Sequence, residues 1–420
     1  MAAARRLGSG AVGAGWRLRA GPPPKTVGDT VNVVPRLALA LKGFVVKLRI
    51  ERDVLAEAVA WTARSLPTRP SQPVLAGLVL TATGDSLVLS AYNLEVSARA
   101  EVEAAVETEG TVVVSGRLLS DITRNLPAAL VTLSLNGTRV DVTCGRSSFT
   151  VPTMSINEYP VLPQMPTFTG TLPSSVFAQA VAQVQVASGR DESLPAFTGI
   201  RVEIAGDTVT MAAPDRYRLA VREFTWIPET PGFEAQALVP ARTLSDVAKG
   251  LATHEPVSLA LSNSGAGEGL MGFECAGRRT TTRLLDGDFP GFRKLLPQEP
   301  TSIIFVDTEE LLGAVNRVAL VAEKNQPVRI KVTAQEIELS AGGDEAHATE
   351  LLDGVLEGEA IEISFNPQFL AEGLGALRAP ITRISCTTPA KPAIFTGVAE
   401  RGAAANTEYQ YLLMPVRLAG

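Results

Sequence analysis

The chain has 420 residues, of which 45 % are apolar, and it carries a formal net charge of −6 with an isoelectric point near 5.3. This length predicts two to four domains with a large core, and the acidic balance excludes a protein that holds nucleic acid mainly by net positive charge. Aromatic residues make up only 5 % of the chain, which argues against a base-stacking platform.

Residues 1–45 differ in composition from the rest of the chain. They are rich in Ala, Gly and Pro and contain seven basic residues against a single acid, Asp29. Such a leader can be an organellar transit peptide, and the alternative is a disordered or artefactual extension. Its GSGAVG stretch at 8–13 matches a dinucleotide pattern, but no strand precedes it. We therefore interpret residues 1–45 as a non-native or disordered extension and expect the fold to begin at Val46.

Three stretches, starting near residues 50, 172 and 306, carry the same helical stripe. In each, a large apolar residue is followed by Ala three positions later and Val four positions later, as on one face of an amphipathic helix. The stripes are Leu55, Ala58 and Val59; Phe177, Ala180 and Val181; and Leu311, Ala314 and Val315. The residue types before each stripe predict helix caps at Asp53, at Ser174 or Ser175, and at Thr308.

A hairpin and a second helix follow each stripe. Leu89, Met211 and Leu339 occupy the same position in their hairpins, and Leu119, Leu244 and Leu370 lie in the second helices. The offsets between copies are about 120 to 135 residues for every feature, which predicts a triplicated domain. We expect an α+β fold with three tandem domains, at residues 46–168, 169–297 and 298–420, each with two helices on an antiparallel sheet layer.

No group of side chains in the sequence indicates catalysis or metal binding. Only two histidines occur, His254 and His347, and neither lies near a plausible nucleophile or metal set. The cysteines Cys144, Cys275 and Cys386 are far apart, which favours buried apolar positions in a reducing compartment. The sequence therefore predicts a protein that is not an enzyme and has no cofactor, and it contains no apolar run of membrane-spanning length.

Repeated domains with exposed strand edges can pair head to tail, and the pairing closes into a ring when the rotation is right. The helices of all copies would then form one inner wall. A polyanion enclosed by that wall is held topologically, so neither a basic net charge nor aromatic stacking is needed. The basic residues on or beside these helices are Arg52, Arg64, Arg69, Arg117, Arg124, Arg242, Lys249, Arg317 and Lys324.

Motifs from all three copies resemble those of one family, in order along residues 46–420. They are VKLRIERDVL, RPSQPVLAGLVL, PDRYRLAVRE, LLDGDFPGFRKLLP and the terminal YLLMPVRL. The chain resembles the bacterial sliding clamp, the beta subunit of DNA polymerase III. The resemblance implies a cytoplasmic, head-to-tail homodimer that forms a six-domain ring around duplex DNA, associates with the nucleoid during replication and makes the polymerase processive. It also implies docking of the replicative polymerase catalytic subunit, the clamp loader, other polymerases and repair proteins through short peptides, without a membrane.

The resemblance also implies a partner-binding pocket between the second and third domains, with an exposed apolar tail, QYLLMPVRLAG, as one wall. Pro214 stands where the family usually has Thr, and Ala419-Gly420 extends past the usual terminal Leu. Arg69, Arg117 and Arg242 are implied to face DNA. The implied pocket residues are Leu194, Phe197, Pro214, Arg216, Tyr217, Arg218, Leu219, Pro290, Lys294, Leu295, Asn366, Phe369, Ala390, Pro392, Leu412, Met414, Pro415, Val416, Arg417 and Leu418.

Two other functions are alternatives to the clamp. One is a hydrolase or transferase with three β-rich domains, which the lack of His, Cys and Ser constellations disfavours. The other is a repeat scaffold that binds peptides but no DNA, which would lack a closed ring. Retention on circular DNA that is lost when the circle is cut would distinguish a ring from a scaffold.

Overall fold

The structure is a computed structural model, and it describes residues 46–191, 193–251, 255–262, 269–296, 299–323, 326–343 and 345–416. The predicted extension at 1–45, His254, Lys324 and the final residues 417–420 lie outside the described residues.

Copy one begins with a strand and a helix and continues as antiparallel hairpins on either side of a second helix. Its helices are α1 (Arg52–Ala63) and α2 (Gly116–Asn125). Its strands are β1 (Lys47–Glu51), β2 (Gly77–Thr83), β3 (Ser86–Tyr92), β4 (Val96–Glu103), β5 (Ala105–Thr108), β6 (Gly110–Ser115), β7 (Leu130–Asn136), β8 (Arg139–Cys144) and β9 (Ser147–Met154).

Copy two repeats this order and adds one short helix. Its helices are α3 (Ser174–Gln185), the added α4 (Pro195–Thr198) and α5 (Ala241–Lys249). Its strands are β10 (Phe168–Pro173), β11 (Gly199–Ala205), β12 (Thr208–Pro214), β13 (Arg218–Thr225), β14 (Ile227–Pro228), β15 (Glu234–Pro240), β16 (Pro256–Leu261), β17 (Leu270–Cys275) and β18 (Arg278–Arg283).

Copy three repeats the order again, without the added helix. Its helices are α6 (Thr308–Val318) and α7 (Pro367–Leu377). Its strands are β19 (Ser302–Asp307), β20 (Val328–Val332), β21 (Ile337–Gly342), β22 (His347–Leu352), β23 (Gly354–Gly358), β24 (Ile361–Phe365), β25 (Ile381–Cys386), β26 (Ala393–Val398) and β27 (Tyr409–Leu413). The three tandem α+β copies predicted from the sequence are thus confirmed.

The predicted helical stripes are the buried faces of α1, α3 and α6. Leu55, Phe177 and Leu311 are each fully buried, and each belongs to the core of its own copy. Burying a side chain of this size contributes roughly 2 kcal/mol. Within each copy the first helix packs against the second, so the pair forms one layer over the sheets.

The predicted caps are wrong by one or two positions. The residues that precede α1, α3 and α6 are Glu51, Pro173 and Asp307. Only Asp307 acts through its side chain, because its carboxylate accepts hydrogen bonds from the N–H groups of Glu309 and Glu310. The strand before each helix runs straight into the first turn, so the expected capping residues fall inside the helix.

Strand pairing joins the copies at two places, which we call the one–two junction and the two–three junction. At the one–two junction β4 pairs antiparallel with β18, with Ala100 opposite Arg278. At the two–three junction β13 pairs antiparallel with β27, with Arg222 opposite Tyr409. In both cases the fourth strand of one copy pairs with the last strand of the next copy. The junctions are therefore two instances of one arrangement.

All three cysteines are buried and unpaired, and burial raises the pKa of the Cys386 thiol to about 12. No helix in the described part of the chain is long and apolar enough to cross a membrane.

Candidate partner-binding pocket and DNA-facing surface

The turn between β12 and β13 is organised by one carboxylate. Asp215 Oδ1 accepts hydrogen bonds from the N–H groups of Tyr217 at 2.8 Å and Arg218 at 2.9 Å. The Asp215 N–H in turn donates to the Arg218 carbonyl at 2.9 Å. Side-chain bonds of this kind fix a turn without help from other elements. As a result Arg216 and Tyr217 project from the tip and are exposed, while Pro214 is buried at the end of β12.

Arg218 is buried at the centre of the two–three junction, with 8 % of its side chain exposed. Its Nε donates to Asp215 Oδ2 at 3.0 Å, and its Nη1 bonds Glu372 of α7. Burial alone would lower the pKa of Arg218, but the nearby Tyr411 and Glu372 raise it above its ordinary value. Burial opposes the charge on Glu372 as well, yet hydrogen bonds from Arg218 and Gln368 hold the pKa of this carboxyl below its ordinary value. The junction therefore encloses a fixed ion pair.

Two aromatic rings, those of Phe369 and Tyr217, stack beside this ion pair, and we call them the aromatic wall. The Arg218 guanidinium carbon lies 4.1 Å from the centroid of the Phe369 ring. Phe369 stacks with Tyr217, with ring centroids 6.0 Å apart and an interplanar angle of 28°. The carbonyl of Phe369 accepts a hydrogen bond of 2.8 Å from the Tyr411 hydroxyl, which holds α7 against β27. A guanidinium over an aromatic face is attractive, and more so when both are desolvated.

Beside the wall, a small apolar cluster forms a floor. Leu219 and Leu412 lie opposite each other on β13 and β27 and are buried together with Phe292. Four large apolar side chains among the predicted pocket residues are exposed: Leu194 at 38 %, Tyr217 at 52 %, Leu295 at 50 % and Met414 at 40 %. Exposed apolar residues grouped near a junction are typical of a binding surface.

The expectation of an exposed apolar tail holds only in part. Tyr411, Leu412 and Leu413 are buried, because β27 pairs with β13 on one side and β26 on the other. Exposure begins at Met414, whose N–H donates to the Tyr217 carbonyl at 2.8 Å. Val416 is tied down in the same way, by a 2.8 Å bond from its N–H to the Ser364 carbonyl. The described tail is thus a strand followed by a short anchored segment.

The remaining predicted pocket residues occupy varied positions. Asn366 precedes α7 and accepts a bond from the Phe369 N–H, so its side chain is engaged as a cap. Lys294 and Ala390 are exposed. Residues Phe197, Pro290, Pro392 and Pro415 are half-buried, and Arg417 and Leu418 lie outside the described residues.

Three family models of the DNA polymerase III beta subunit match the chain in order: the N-terminal domain at 46–163, the central domain at 171–291 and the C-terminal domain at 293–417. The chain belongs to the DNA polymerase III beta subunit family. Members of this family are sliding clamps, non-catalytic subunits that make the replicative polymerase processive.

Named relatives and solved structures agree with the family. The chain is 56 % identical over 375 residues to a beta sliding clamp of Streptomyces coelicolor, which covers 89 % of this chain and 100 % of that protein. It is 47 % identical over 312 residues to a beta sliding clamp of Micrococcus luteus, covering 74 % of this chain and 100 % of that protein. The fold matches the sliding clamp of Bacillus subtilis and a clamp of Pseudomonas aeruginosa bound to griselimycin. Each has a TM-score of 0.82 at 24 % identity, over 89 % of this chain and 100 % of the other.

The three arginines predicted to face DNA in the clamp are all exposed. Arg117 and Arg242 are the second residues of α2 and α5, and Arg69 lies in the loop after α1. Arg117 is already engaged, because its Nη2 donates to the carbonyls of Pro67 and Thr68 at 3.1 Å each. Two other helix arginines of the predicted wall are also paired: Arg52 with Asp53 and Arg317 with Glu350.

Sequence reasoning missed the residues that organise the pocket from behind. These are Asp215 and Glu372, which bond Arg218; Gln368, which donates to Glu372; and Phe292, which completes the floor. A signal for Glu372 was present, because the sixth residue of the second helix is acidic in every copy, at Asp121, Asp246 and Glu372. Only copy two has an arginine at the position of Arg218 to pair with it.

Proposed function

We propose that this chain closes with a second copy into a six-domain, head-to-tail ring around duplex DNA and tethers the replicative polymerase through the pocket at the two–three junction. The observation that supports the ring is the repeated junction. Three copies arranged in a closed dimer need three equivalent junctions per chain, and two of these lie within the chain. The strands for the third junction are the last strand of copy one and the fourth strand of copy three.

The leftover elements are β22 and β9. β22 is the fourth strand of copy three, and among the described residues it pairs with β21 alone, at the edge of a four-stranded sheet. β9 is the last strand of copy one. In the described part of the chain it pairs with β8 through residues 147–152 and with β6 through Thr153 and Met154, so the other edge of residues 147–152 has no partner strand there. Transferring the register of the two internal junctions sets Glu350 opposite Ser147 of a second copy. Open edges of this kind favour pairing.

Exposed apolar side chains mark both edges. Phe149 on β9 is 39 % exposed and Leu320 after α6 is 84 % exposed. The residue at the place of Phe149 in copy three, Tyr411, is fully buried in the two–three junction. The residue at the place of Leu320 in copy two, Val186, packs against the core of copy three. Each exposed residue would therefore be covered in the same way by a second copy. Two such joints per dimer close the ring with C2 symmetry.

The ring explains how an acidic protein holds DNA. Arg69, Arg117 and Arg242 would face the enclosed duplex and contact phosphates without reading sequence. Because the link is topological, a few such contacts are enough, and the clamp remains free to slide. A peptide-binding scaffold without DNA is disfavoured, because it gives no reason for two complementary free edges.

The pocket would bind short apolar segments of several partners: the replicative polymerase catalytic subunit, the clamp loader, other polymerases and repair proteins. Its support is the combination of a rigid aromatic wall, a buried apolar floor and four exposed apolar side chains. Binding energy at such sites is concentrated in a few central contacts. We place the protein in the cytoplasm, on the nucleoid during replication.

The test is retention on DNA. The protein is loaded by its cognate clamp loader onto nicked circular DNA, separated from free protein by gel filtration, and the circle is then cut once. We expect retention before the cut and release after it, because a ring slides off a linear end. Retention that survives linearisation would contradict the topological link, and a circle linearised but blocked at both ends is the control.

A further inference from the structure

We propose that Glu372 is a positioning residue of the pocket. By fixing Arg218 across the boundary between copies two and three, it sets the aromatic wall against which the partner peptide binds. The inference rests on the proposed function of the pocket and assigns a role to a residue that need not touch the peptide.

The geometry links Glu372 to the wall in three steps. Glu372 Oε1 accepts a hydrogen bond of 2.9 Å from Gln368 one turn earlier on α7, which aims the carboxylate. Its Oε2 bonds Arg218 Nη1. Arg218 then lies over Phe369, which stacks with the exposed Tyr217. A carboxylate in copy three thus determines where an aromatic side chain of copy two stands.

Arg218 needs this second carboxylate because it is buried. A planar guanidinium has five N–H donors in a fixed fork. Asp215 accepts the hydrogen bond from Nε of Arg218, and Glu372 accepts the hydrogen bond from Nη1. Without Glu372, a charge with 8 % of its side chain exposed would keep one carboxylate partner. A buried charge that loses a partner moves toward water, and Arg218 would then leave the face of Phe369.

The one–two junction shows that the ion pair is not needed to join two copies. There Asn93 makes the same turn, accepting from the N–H groups of Glu95 at 3.0 Å and Val96 at 2.7 Å. Val96 occupies the position of Arg218, and Asp246 occupies that of Glu372. Asp246 is exposed and forms no ion pair among the described residues. The cross-boundary ion pair of this junction, between Arg278 and Glu57, lies at the other end of the strand pairing from the turn. An ion pair beside the turn is therefore not required for cohesion, and we infer that the pair at Arg218 serves the wall.

The same boundary offers a matched control. Arg222 on β13 pairs with Glu408 beside β27, at 3.1 Å between Nη1 and Oε2. This pair also crosses from copy two to copy three, but it lies at the other end of the strand pairing from the turn. A Glu408→Gln change therefore removes a cross-boundary ion pair while leaving the aromatic wall in place.

The experiment measures binding of a fluorescent peptide, copied from the clamp-binding segment of the cognate replicative polymerase, to the full chain by anisotropy. We expect Glu372→Gln to weaken binding roughly tenfold and Glu408→Gln to leave it unchanged. Arg218→Met should weaken binding to a similar extent, and adding Glu372→Gln to it should have no further effect, because Glu372 acts through Arg218. Glu372→Asp, which keeps the charge, should retain most of the affinity.

Several outcomes would overturn the inference. They are unchanged binding by Glu372→Gln, an equal loss in Glu408→Gln, or an additive loss in the double variant. Melting temperature and sedimentation are measured for each variant, so that a loss of fold is seen directly. If Glu372→Gln does not fold, the Arg218→Met and Glu372→Asp variants still decide the matter. Failure of the wild-type chain to bind the peptide would instead contradict the proposed function of the pocket.

Discussion

The one–two and two–three junctions share a backbone and differ in their side chains. In both, a turn held by an Asx side chain precedes the pairing strand, and an N–H at the end of the last strand, or one residue beyond it, bonds to the turn. The Arg283 N–H donates to the Glu95 carbonyl at 3.0 Å in the first junction, and the Met414 N–H donates to the Tyr217 carbonyl at 2.8 Å in the second. The same backbone hydrogen bonds therefore join the copies in both places, and the junctions differ in their side chains.

The residues beside the turn pack differently in the two junctions. In the first, the Tyr159 hydroxyl accepts a 2.9 Å bond from the Tyr92 N–H, and the ring packs into a closed apolar cluster. Burial raises the pKa of Tyr159 to about 12, so the hydroxyl keeps its proton. We call the segment between the last strand of one copy and the first strand of the next copy the linker. In the second junction Pro214 takes the place of Tyr92 and has no N–H, and Phe289 of the linker takes the place of Tyr159 and has no hydroxyl. The two junctions thus share a backbone arrangement but differ in side chains, and in our proposal only the second one binds partners.

The largest expected effect concerns the third junction, which would form between chains. We expect Phe149→Asp to convert the dimer to a monomer, weakening self-association by at least roughly a hundredfold, because a charge would replace an apolar side chain at the paired edge. Sedimentation velocity at micromolar concentration measures this. Val161→Asp is the control, because Val161 is 90 % exposed but lies in the linker. A Phe149→Asp dimer of normal affinity would show that β9 is not the joint.

The next effect separates the two internal junctions. We expect deletion of residues 414–420 to weaken the polymerase peptide at least roughly tenfold, equivalent to about 1.4 kcal/mol, with dimerisation intact. The deletion removes the exposed Met414 and the bond from its N–H to Tyr217, but it leaves β27 in place. Calorimetry and sedimentation measure the two properties. Arg283→Ala, at the equivalent position of the first junction, should leave the peptide affinity unchanged; an equal loss there would remove the distinction.

A smaller effect tests why the first junction is closed. We expect Tyr159→Phe to lower the free energy of unfolding by about 1 to 2 kcal/mol, because the buried Tyr92 N–H loses its hydrogen-bond acceptor. Peptide affinity should not change. Urea unfolding of the full chain, followed by far-ultraviolet circular dichroism, measures the stability. The matched variant is Phe289→Leu, which should affect peptide binding more than stability if the linker of the second junction supports the pocket.

The smallest effect is on pH dependence. Because the pKa of Glu372 is lowered, its carboxylate stays charged as the pH falls from 7 through its ordinary value of 4.5, and its contribution is lost only below that. We therefore expect the ratio of peptide affinities, wild type over Glu372→Gln, to stay constant between pH 7 and about pH 5. Anisotropy across this range tests it, and a ratio that collapses near pH 6 would contradict a stabilised carboxylate.

Local pattern was sufficient to predict much of this molecule. The stripes at Leu55, Phe177 and Leu311 predicted three buried helices, since their spacing depends only on helix geometry. The PDRYRLAVRE motif likewise located the residues around this turn, although it did not reveal the role of Asp215. Contacts between distant residues could not be predicted in this way. Glu372 bonds Arg218, which is 154 positions away in the sequence. Phe292 is buried because the linker packs against Leu219 of β13 and Leu412 of β27. The tail was misjudged for the same reason, since pairing on both sides buries Leu412 and Leu413.

Hydrogen–deuterium exchange of the full chain with saturating polymerase peptide most directly tests the claim that only the second junction is a binding site. The two matched pairs of segments are 213–219 with 411–416, and 91–97 with 280–285. The account predicts that the peptide slows exchange in the first pair and leaves the second pair unchanged. Equal protection of both pairs, or protection of 91–97 and 280–285 alone, would contradict it.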